Sequence, residues 1–139
     1  MPPQPRFTRW PWWRRWFGQR SERAAARYLR RHGHRILQQN VNDGQGEIDL
    51  LTIEGDTLVV VEVRSTENRD LQSVAASVNR EKQKRLTNAI LRFRQRRRLH
   101  DVPIRFDVLV IAWPAAEREP RVLHFRNAFP AIGRFQMHS

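Results

Sequence analysis

The feature that most constrains this chain is a pair of apolar, β-branched segments on either side of a short polar turn. The segments are residues 47–53 and 58–64, and the turn between them, residues 54–57, reads Glu-Gly-Asp-Thr. Alternating segments joined by such a turn predict a β-hairpin. A tight turn also fixes the register, because the two strands must pair symmetrically about it. The sequence therefore predicts which side chains face each other across the hairpin.

This register places two carboxylates face to face, with Asp49 opposite Glu62. Directly opposed residues have Cβ atoms about 4.5–5.5 Å apart, and like charges at that distance are destabilising. Either one carboxyl group takes up a proton or a cation lies between the two. A hard divalent ion such as Mg²⁺ or Mn²⁺ suits paired carboxylates and also binds phosphate oxygens. The alternative is a cross-strand ion pair between Glu47 and Arg64, with the two acids facing solvent.

Helices and strands are predicted around the hairpin from hydrophobic periodicity. A first helix is expected over residues 21–32, with Ser21 as N-cap and Gly33 as its stop, and a longer one over residues 79–99, with Leu86, Ile90 and Phe93 on one stripe. Further strands are predicted at residues 35–41, 105–112 and 121–126. The order αβββαββ predicts an α/β (α+β) fold in which helices flank one mixed sheet of about five strands.

A length of 139 residues suits one domain, which we place at residues 21–127, followed by a tail at residues 128–139. Residues 1–20 form a basic extension rich in Trp, Arg and Pro, and we expect it to be poorly ordered. Its tryptophans and arginines could stack on bases, lie at a membrane interface or pack partly on the domain. No apolar run approaches the roughly 20 residues that span a bilayer.

The charge of the chain favours a polyanionic partner. Lys and Arg number 26 against 14 Asp and Glu, so nucleic acid is the first expectation, DNA before RNA. The second helix carries a basic face that would bind phosphates, although a solvated surface is the alternative. We take Lys84, Arg85, Arg92 and Arg96 as its nucleic-acid-binding residues.

The numbers and positions of cysteine and histidine limit the kinds of disulfide and metal site that the sequence can form. The sequence has no cysteine, which excludes disulfides and thiolate zinc sites and is consistent with the cytoplasm. The five histidines lack the paired spacing of a zinc-binding helix or finger. We interpret all five as surface or half-buried side chains.

Three further residues are predicted to lie near the paired acids. Glu22 shares a helical stripe with Leu29 and faces inward, although an acid that stabilises the helix dipole is the alternative. Lys82 precedes the apolar stripe of the second helix, and a snorkelling surface lysine is the alternative. Arg64 follows Glu62 by two residues on the same strand face, where a cation would stabilise a phosphoryl transition state.

A family resemblance covers about residues 18–127. It rests on the motifs Ser21-Glu22-x-x-Ala25, Tyr28-Leu29, Asn40, Gly46-Glu47-Ile48-Asp49-Leu50, Val61-Glu62-Val63-Arg64, Lys82-Gln83 and Arg105-Phe106-Asp107-Val108. This set resembles the YraN-like family, which is similar in fold to the restriction-endonuclease-like superfamily and to archaeal Holliday-junction resolvases, with their PD-(D/E)xK sites. The resemblance implies that Asp49 and Glu62 are metal ligands, that Glu22 is an additional acid and that residue 64 is their basic partner. It also suggests a homodimer.

The chain departs from that pattern at Arg64, where the family usually has Lys, and at residues 65–68, which read Ser-Thr-Glu-Asn. Arginine keeps the positive charge but is larger and does not deprotonate. Lys82 is a candidate replacement amine. Three functions are predicted. The first is a metal-dependent endonuclease that acts on DNA, with branched DNA as one candidate substrate. The second is a nucleic-acid-binding module without turnover, and the third is a membrane-peripheral protein that uses residues 1–20.

Overall fold

The computed structural model describes residues 12–67, 70–113 and 119–132, without the side chains of residues 12–18. The elements in chain order are α1 (Trp12–Arg31), β1 (Arg35–Asn42), β2 (Glu47–Glu54), β3 (Thr57–Thr66), α2 (Leu71–Ala76), α3 (Arg80–Arg96), β4 (Ile104–Ala112) and β5 (Arg121–Phe125). The predicted class is confirmed, because a mixed sheet of five strands is flanked by helices as in a restriction-endonuclease-like core. The short helix α2 was not predicted.

The five strands lie in the order β1-β2-β3-β4-β5. β3 and β4 are parallel and are joined by a crossover through α2 and α3, whereas the other neighbours are antiparallel. The predicted hairpin register is confirmed, since Leu50 pairs with Val61 and Glu54 pairs with Thr57. Gly55 has a φ of +63° in the turn, a conformation that favours glycine.

Each face of the sheet is covered by one long helix. Leu86, Ile90 and Phe93 of α3 are buried against one face, as the hydrophobic stripe predicted. Ala25 and Leu29 of α1 are buried against the other. Because alternate strand residues point to opposite faces, the position of a side chain along β3 or β4 decides which helix it meets.

The first helix begins at Trp12, so the prediction that Ser21 is its N-cap was wrong. Ser21 is buried inside α1, and its Oγ accepts a 2.7 Å hydrogen bond from Nε1 of Trp113. Ser21 is therefore a buried hydrogen-bond acceptor for Trp113, a residue distant in sequence, and not a helix cap. The described part of the chain does not include residues 1–11, among them Trp10, or the side chains of Trp12, Trp13 and Trp16. The three interpretations of the tryptophans and arginines in the N-terminal extension therefore stay predictions. Among the described helices, none is both long and apolar enough to cross a membrane.

The packed region continues past residue 127. Phe129 is buried and stacks on Phe106 with ring centroids 5.0 Å apart, and Ile132 is also buried. Ile132 is tied to α3 by a hydrogen bond from its backbone N–H to Oγ1 of Thr87. Residues 128–132 therefore belong to the core rather than to a tail.

Candidate functional site

The candidate site lies where the central hairpin opens. The β2 and β3 ladder ends at Leu50 and Val61, although β2 stays paired with β1 as far as Glu47 and β3 continues beside β4 to Thr66. In the opening, Oδ2 of Asp49 accepts a 2.9 Å hydrogen bond from the backbone N–H of Val63. A carboxylate thus takes the place of a backbone acceptor and is held facing β3.

Glu62 is the most constrained acid of this opening. Its side chain is 6% exposed, and its Oε2 lies 3.3 Å from Nη2 of Arg64 and 3.8 Å from Nζ of Lys82. Its Oε1 is buried and has no hydrogen-bond donor among the described residues. Burial and then the nearby charge of Asp49 raise the pKa of Glu62 well above its ordinary value, while Lys82 and Arg64 only partly oppose this. The surroundings of Glu62 therefore favour either a proton on this carboxyl group or an additional cation beside it.

The carboxyl groups of Asp49 and Glu62 interact, since both the charge of Asp49 and a side-chain hydrogen bond with it raise the pKa of Glu62. The alternative ion pair between Glu47 and Arg64 is not what the structure shows. Arg64 contacts Glu62 instead, and Glu47 accepts a hydrogen bond from Nδ2 of Asn42 at 3.3 Å. Two carboxylate oxygens attract each other only when a proton or a metal ion lies between them.

Glu22 brings a third acid to the opening from the helix on the other side of the sheet. Burial raises its pKa, the charges of Asp49 and then Glu47 raise it further, and a hydrogen bond with the Asn40 side chain lowers it. Asn40 has a positive φ of 52° within β1. Because α1 begins at Trp12, Glu22 is not in the first turn, and the helix-dipole interpretation was wrong.

Lys82 lies in the first turn of α3. Asn79 is the N-cap of that helix, and its Oδ1 accepts a 2.9 Å hydrogen bond from the Lys82 backbone N–H. The Lys82 side chain is 31% exposed and reaches Glu62 rather than extending to solvent. The cap therefore fixes the point from which this amine approaches the acids.

Asp49 and Glu62 bring together oxygen donors of the kind that hard divalent cations prefer, and Oε1 of Glu62 is a buried acceptor without a donor among the described residues. Glu22 interacts with the charge of Asp49, but within the described part of the chain the three acids do not form one close group of ligand atoms. The pair of Asp49 and Glu62 therefore fits Mg²⁺ or Mn²⁺, with Glu22 as a more distant acid.

The basic residues predicted on α3 are largely paired with acids. Arg92 and Arg96 contact Asp43, whose carboxylate also accepts the Gly46 backbone N–H, and these contacts hold the loop between β1 and β2. Arg92 holds the pKa of the Asp43 carboxyl well below its ordinary value. Arg85 pairs with Glu81 at 2.9 Å. Lys84 is exposed and, within the described part of the chain, has no acidic partner.

A second basic surface, on α1, was missed by the sequence analysis. Its exposed arginines line a groove of about 330 Å³ with Gln39 of the edge strand β1, and none forms an ion pair with another described residue. We call this surface the α1 groove; its arginines are Arg23, Arg27, Arg30 and Arg31. Their spacing of four, three and one residues places them along one side of a helix and could have revealed it.

The structure also corrects the interpretation of the histidines. His34 is buried, and it lies with His124 around Asp107 on the sheet face that α1 covers. The three residues come from distant parts of the sequence, so no local spacing could have signalled the cluster.

Comparisons with known proteins agree with the family resemblance. The model of the uncharacterised protein family UPF0102 matches residues 21–111. UPF0102 protein RB9115 of Rhodopirellula baltica is 39% identical over 119 residues, which are 84% of this chain and 71% of the relative. UPF0102 protein HEAR0176 of Herminiimonas arsenicoxydans is 45% identical over 94 residues, 68% of this chain and 75% of the relative. The matched residues include the hairpin, Glu22 and Lys82, and the chain therefore belongs to the UPF0102, or YraN-like, family.

Proposed function

We propose that this protein is a divalent-metal-dependent nuclease that hydrolyses phosphodiester bonds in DNA. The observation that carries the proposal is the buried Oε1 of Glu62, which has no donor among the described residues, in a side chain that interacts with the carboxylate of Asp49. A buried polar atom without a hydrogen-bond partner lowers the stability of the fold unless a ligand interacts with it.

The side chains around the opening have separable roles in this proposal. Asp49 and Glu62 would hold the ion, and Glu22 would join them only after its side chain moves closer; the bound ion would supply Lewis-acid polarisation of a phosphoryl oxygen and a more acidic water molecule. The Val63 N–H keeps Asp49 in place. Arg64 and Lys82 reach the same carboxylate, so their positive charges are positioned to stabilise negative charge that develops on the phosphate.

The α1 groove supports a nucleic-acid substrate. Arginine binds phosphate oxygens through a planar fork of donors, and the arginines of this groove are not engaged by acids of the described residues. One end of the groove lies on the helix that carries Glu22, since Arg23 follows this acid directly, and the charge of Glu22 interacts with that of Asp49. A strand bound along the groove would lead towards the opening of the hairpin.

Cleavage of labelled duplex, flap and four-way-junction DNA, with matched RNA, tests the activity in the presence and absence of Mg²⁺. We expect Mg²⁺-dependent cutting of DNA by the wild type and a loss of at least about 100-fold in Asp49→Asn and Glu62→Gln, with binding retained. Asp56→Asn, which changes an exposed acid in the turn of the same hairpin, is the matched control and should cut normally. Equal cutting by all four proteins would overturn the proposal.

A second function is favoured by one observation. Arg64 stands where the family usually has Lys, and its Nε is buried without a partner among the described residues. An arginine in this position retains its charge and could leave a binding module without turnover. Tight binding with no cutting of any substrate, in Mg²⁺ or Mn²⁺, would favour that module.

Substitution of the α1 groove tests where the nucleic acid lies. Arg27→Ala with Arg30→Ala should lower DNA affinity about 10-fold and reduce the slope of log affinity against log salt by about 2, because two phosphate contacts are lost. Lys84→Ala with Arg85→Ala removes the same charge from α3 and should have a smaller effect. A larger effect of the α3 pair would instead place the DNA on that helix.

A further inference from the structure

A second polar cluster lies on the sheet face opposite Glu62. His34 directly precedes β1, Asp107 lies in β4, and His124 lies in β5. One nitrogen of each imidazole and one carboxylate oxygen all lie within 4.8 Å of one another. Three separate parts of the fold thus bring two nitrogen donors and one oxygen donor together.

His34 contributes a buried nitrogen without a partner. Its side chain is fully buried, and Nδ1 lies 2.8 Å from Oγ1 of Thr52. Nε2 forms no hydrogen bond with a described residue and lies 3.6 Å from Oε2 of Glu54. When Nδ1–H donates to Thr52, the lone pair of Nε2 points into the cluster, the arrangement that fixes metal-binding histidines in proteins. Burial lowers the pKa of His34 and so favours the neutral form that metals require.

We propose that Nε2 of His34, Nε2 of His124 and Oδ2 of Asp107 bind a transition-metal ion of the Zn²⁺ class. Two imidazoles with one carboxylate are zinc donors, whereas Mg²⁺ prefers an all-oxygen site. The site is separate from the three acids at the hairpin opening and does not depend on the nuclease proposal.

The distances require only small movements on binding. Nε2 of His124 lies 2.7 Å from Oδ2 of Asp107, and the largest separation in the set is within 4.8 Å. Tetrahedral zinc with bonds of about 2.0–2.1 Å separates its ligand atoms by about 3.4 Å, so shifts of about 1 Å suffice. A proton on Nε2 of His124, shared with Asp107, would be released to solvent when the ion binds. Glu54 lies 3.6 Å from Nε2 of His34 but is paired with Arg105 and Arg126 and is outside the close group of ligand atoms, so water would supply the fourth ligand.

Arginines support the acids of the cluster from outside. Arg105 donates two 2.9 Å hydrogen bonds to Asp107 and also contacts Glu54 at 2.8 Å, and Arg126 donates to Glu54. Hydrogen-bonded outer partners of this kind orient metal-binding carboxylates. Because these arginines already compensate both acids, the imidazoles must supply much of the affinity, and loss of either should weaken binding strongly.

Titration with Co²⁺ in excess Mg²⁺ tests the site, since tetrahedral Co²⁺ absorbs visible light. We expect one absorbing ion in the wild type, and affinity at least 10-fold lower in His34→Asn and His124→Asn. The double variant Asp49→Asn with Glu62→Gln should bind as the wild type does, and so should His100→Asn, an exposed histidine outside the cluster. Unchanged binding in both cluster variants would overturn the proposal.

NMR of the wild-type protein avoids the risk that a cluster variant does not fold. On addition of Zn²⁺ in excess Mg²⁺, the imidazole nitrogens of His34 and His124 should shift, and those of His32 and His100 should not. Zinc-induced shifts confined to His32 or His100, or no shift of any imidazole, would contradict the assignment.

Discussion

Two buried carboxylates on neighbouring parallel strands have opposite surroundings. Asp107 of β4 accepts hydrogen bonds from Arg105, His124 and the backbone N–H of Asn127, so both of its oxygens have donors. Glu62 of β3 lies on the other face of the sheet and has one oxygen with none among the described residues. Donors near Asp107 hold its pKa well below the ordinary range despite burial, whereas burial and a second acid raise the pKa of Glu62.

The comparison separates the effect of burial on a carboxyl pKa from the effect of hydrogen-bond donors and nearby charges. Both side chains are almost fully removed from solvent, yet the surroundings lower the pKa of Asp107 and raise that of Glu62. Among the described residues, the buried acceptor without a partner is Oε1 of Glu62 in the first cluster and Nε2 of His34 in the second, while Nε of Arg64 is a buried donor without a partner beside the first. Because the carboxylate oxygen and the imidazole nitrogen differ in hardness, we propose an oxygen-preferring ion for the first cluster and a zinc-class ion for the second.

The largest expected difference concerns stability. Asp107→Asn should lower the free energy of unfolding by about 3–5 kcal/mol, because Arg105 and His124 lose a buried anionic acceptor. Glu62→Gln should lower it by less than about 1 kcal/mol in metal-free protein or even raise it, since a poorly compensated buried acid is removed. Urea unfolding at neutral pH with a chelator measures both. Equal decreases in the free energy of unfolding of the two variants would show that Asp107 and Glu62 do not differ in how well their charges are compensated.

A smaller effect is expected in turnover. Lys82→Ala should reduce DNA cleavage about 100-fold while leaving DNA binding intact, because Lys82 reaches Glu62 and is the candidate replacement for the usual lysine. Lys84→Ala, two residues along the same helix and exposed, is the matched control. Unchanged cleavage in the Lys82 variant would remove this residue from the mechanism.

The smallest effect is a pH dependence of opposite sign at the two acids. The raised pKa of Glu62 contributes stability below its unfolded pKa, and this contribution is lost as pH rises through the folded pKa. The lowered pKa of Asp107 contributes stability above its unfolded pKa, and this is lost as pH falls towards the folded pKa.

Unfolding free energies of metal-free protein from about pH 3 to pH 9 test these signs. Glu62→Gln should flatten the decline on the alkaline side, and Asp107→Asn should flatten the decline on the acid side. A Glu62→Gln protein with the wild-type alkaline decline would show that another group causes it.

Local patterns predicted much of this fold. The two-residue alternation and the turn determined the hairpin register, and the stripe of Leu86, Ile90 and Phe93 identified α3. The prediction that Asp49 faces Glu62 came from that register, although the ladder itself ends one pair earlier, at Leu50 and Val61. These features depend on neighbours within a strand, a turn or a helix, which a single sequence displays directly.

Features that depend on distant contacts were not predicted. Ser21 resembled an N-cap because its partner Trp113 lies far along the chain. His34 and His124 are brought to Asp107 only by the order and twist of the sheet. Arg92 looked like a phosphate-binding residue because the sequence alone does not reveal its contact with Asp43 in a remote loop.

Calorimetric titration of Mn²⁺ into the His34→Asn protein, in two buffers of different ionisation enthalpy, measures whether a cation binds between Asp49 and Glu62. We expect one bound ion and release of protons near neutral pH, because the ion displaces the proton favoured on Glu62. Adding Asp49→Asn or Glu62→Gln should weaken binding at least 10-fold and reduce the proton release. Mn²⁺ binding of the same strength in those proteins, or binding without proton release, would contradict a cation held between the two acids.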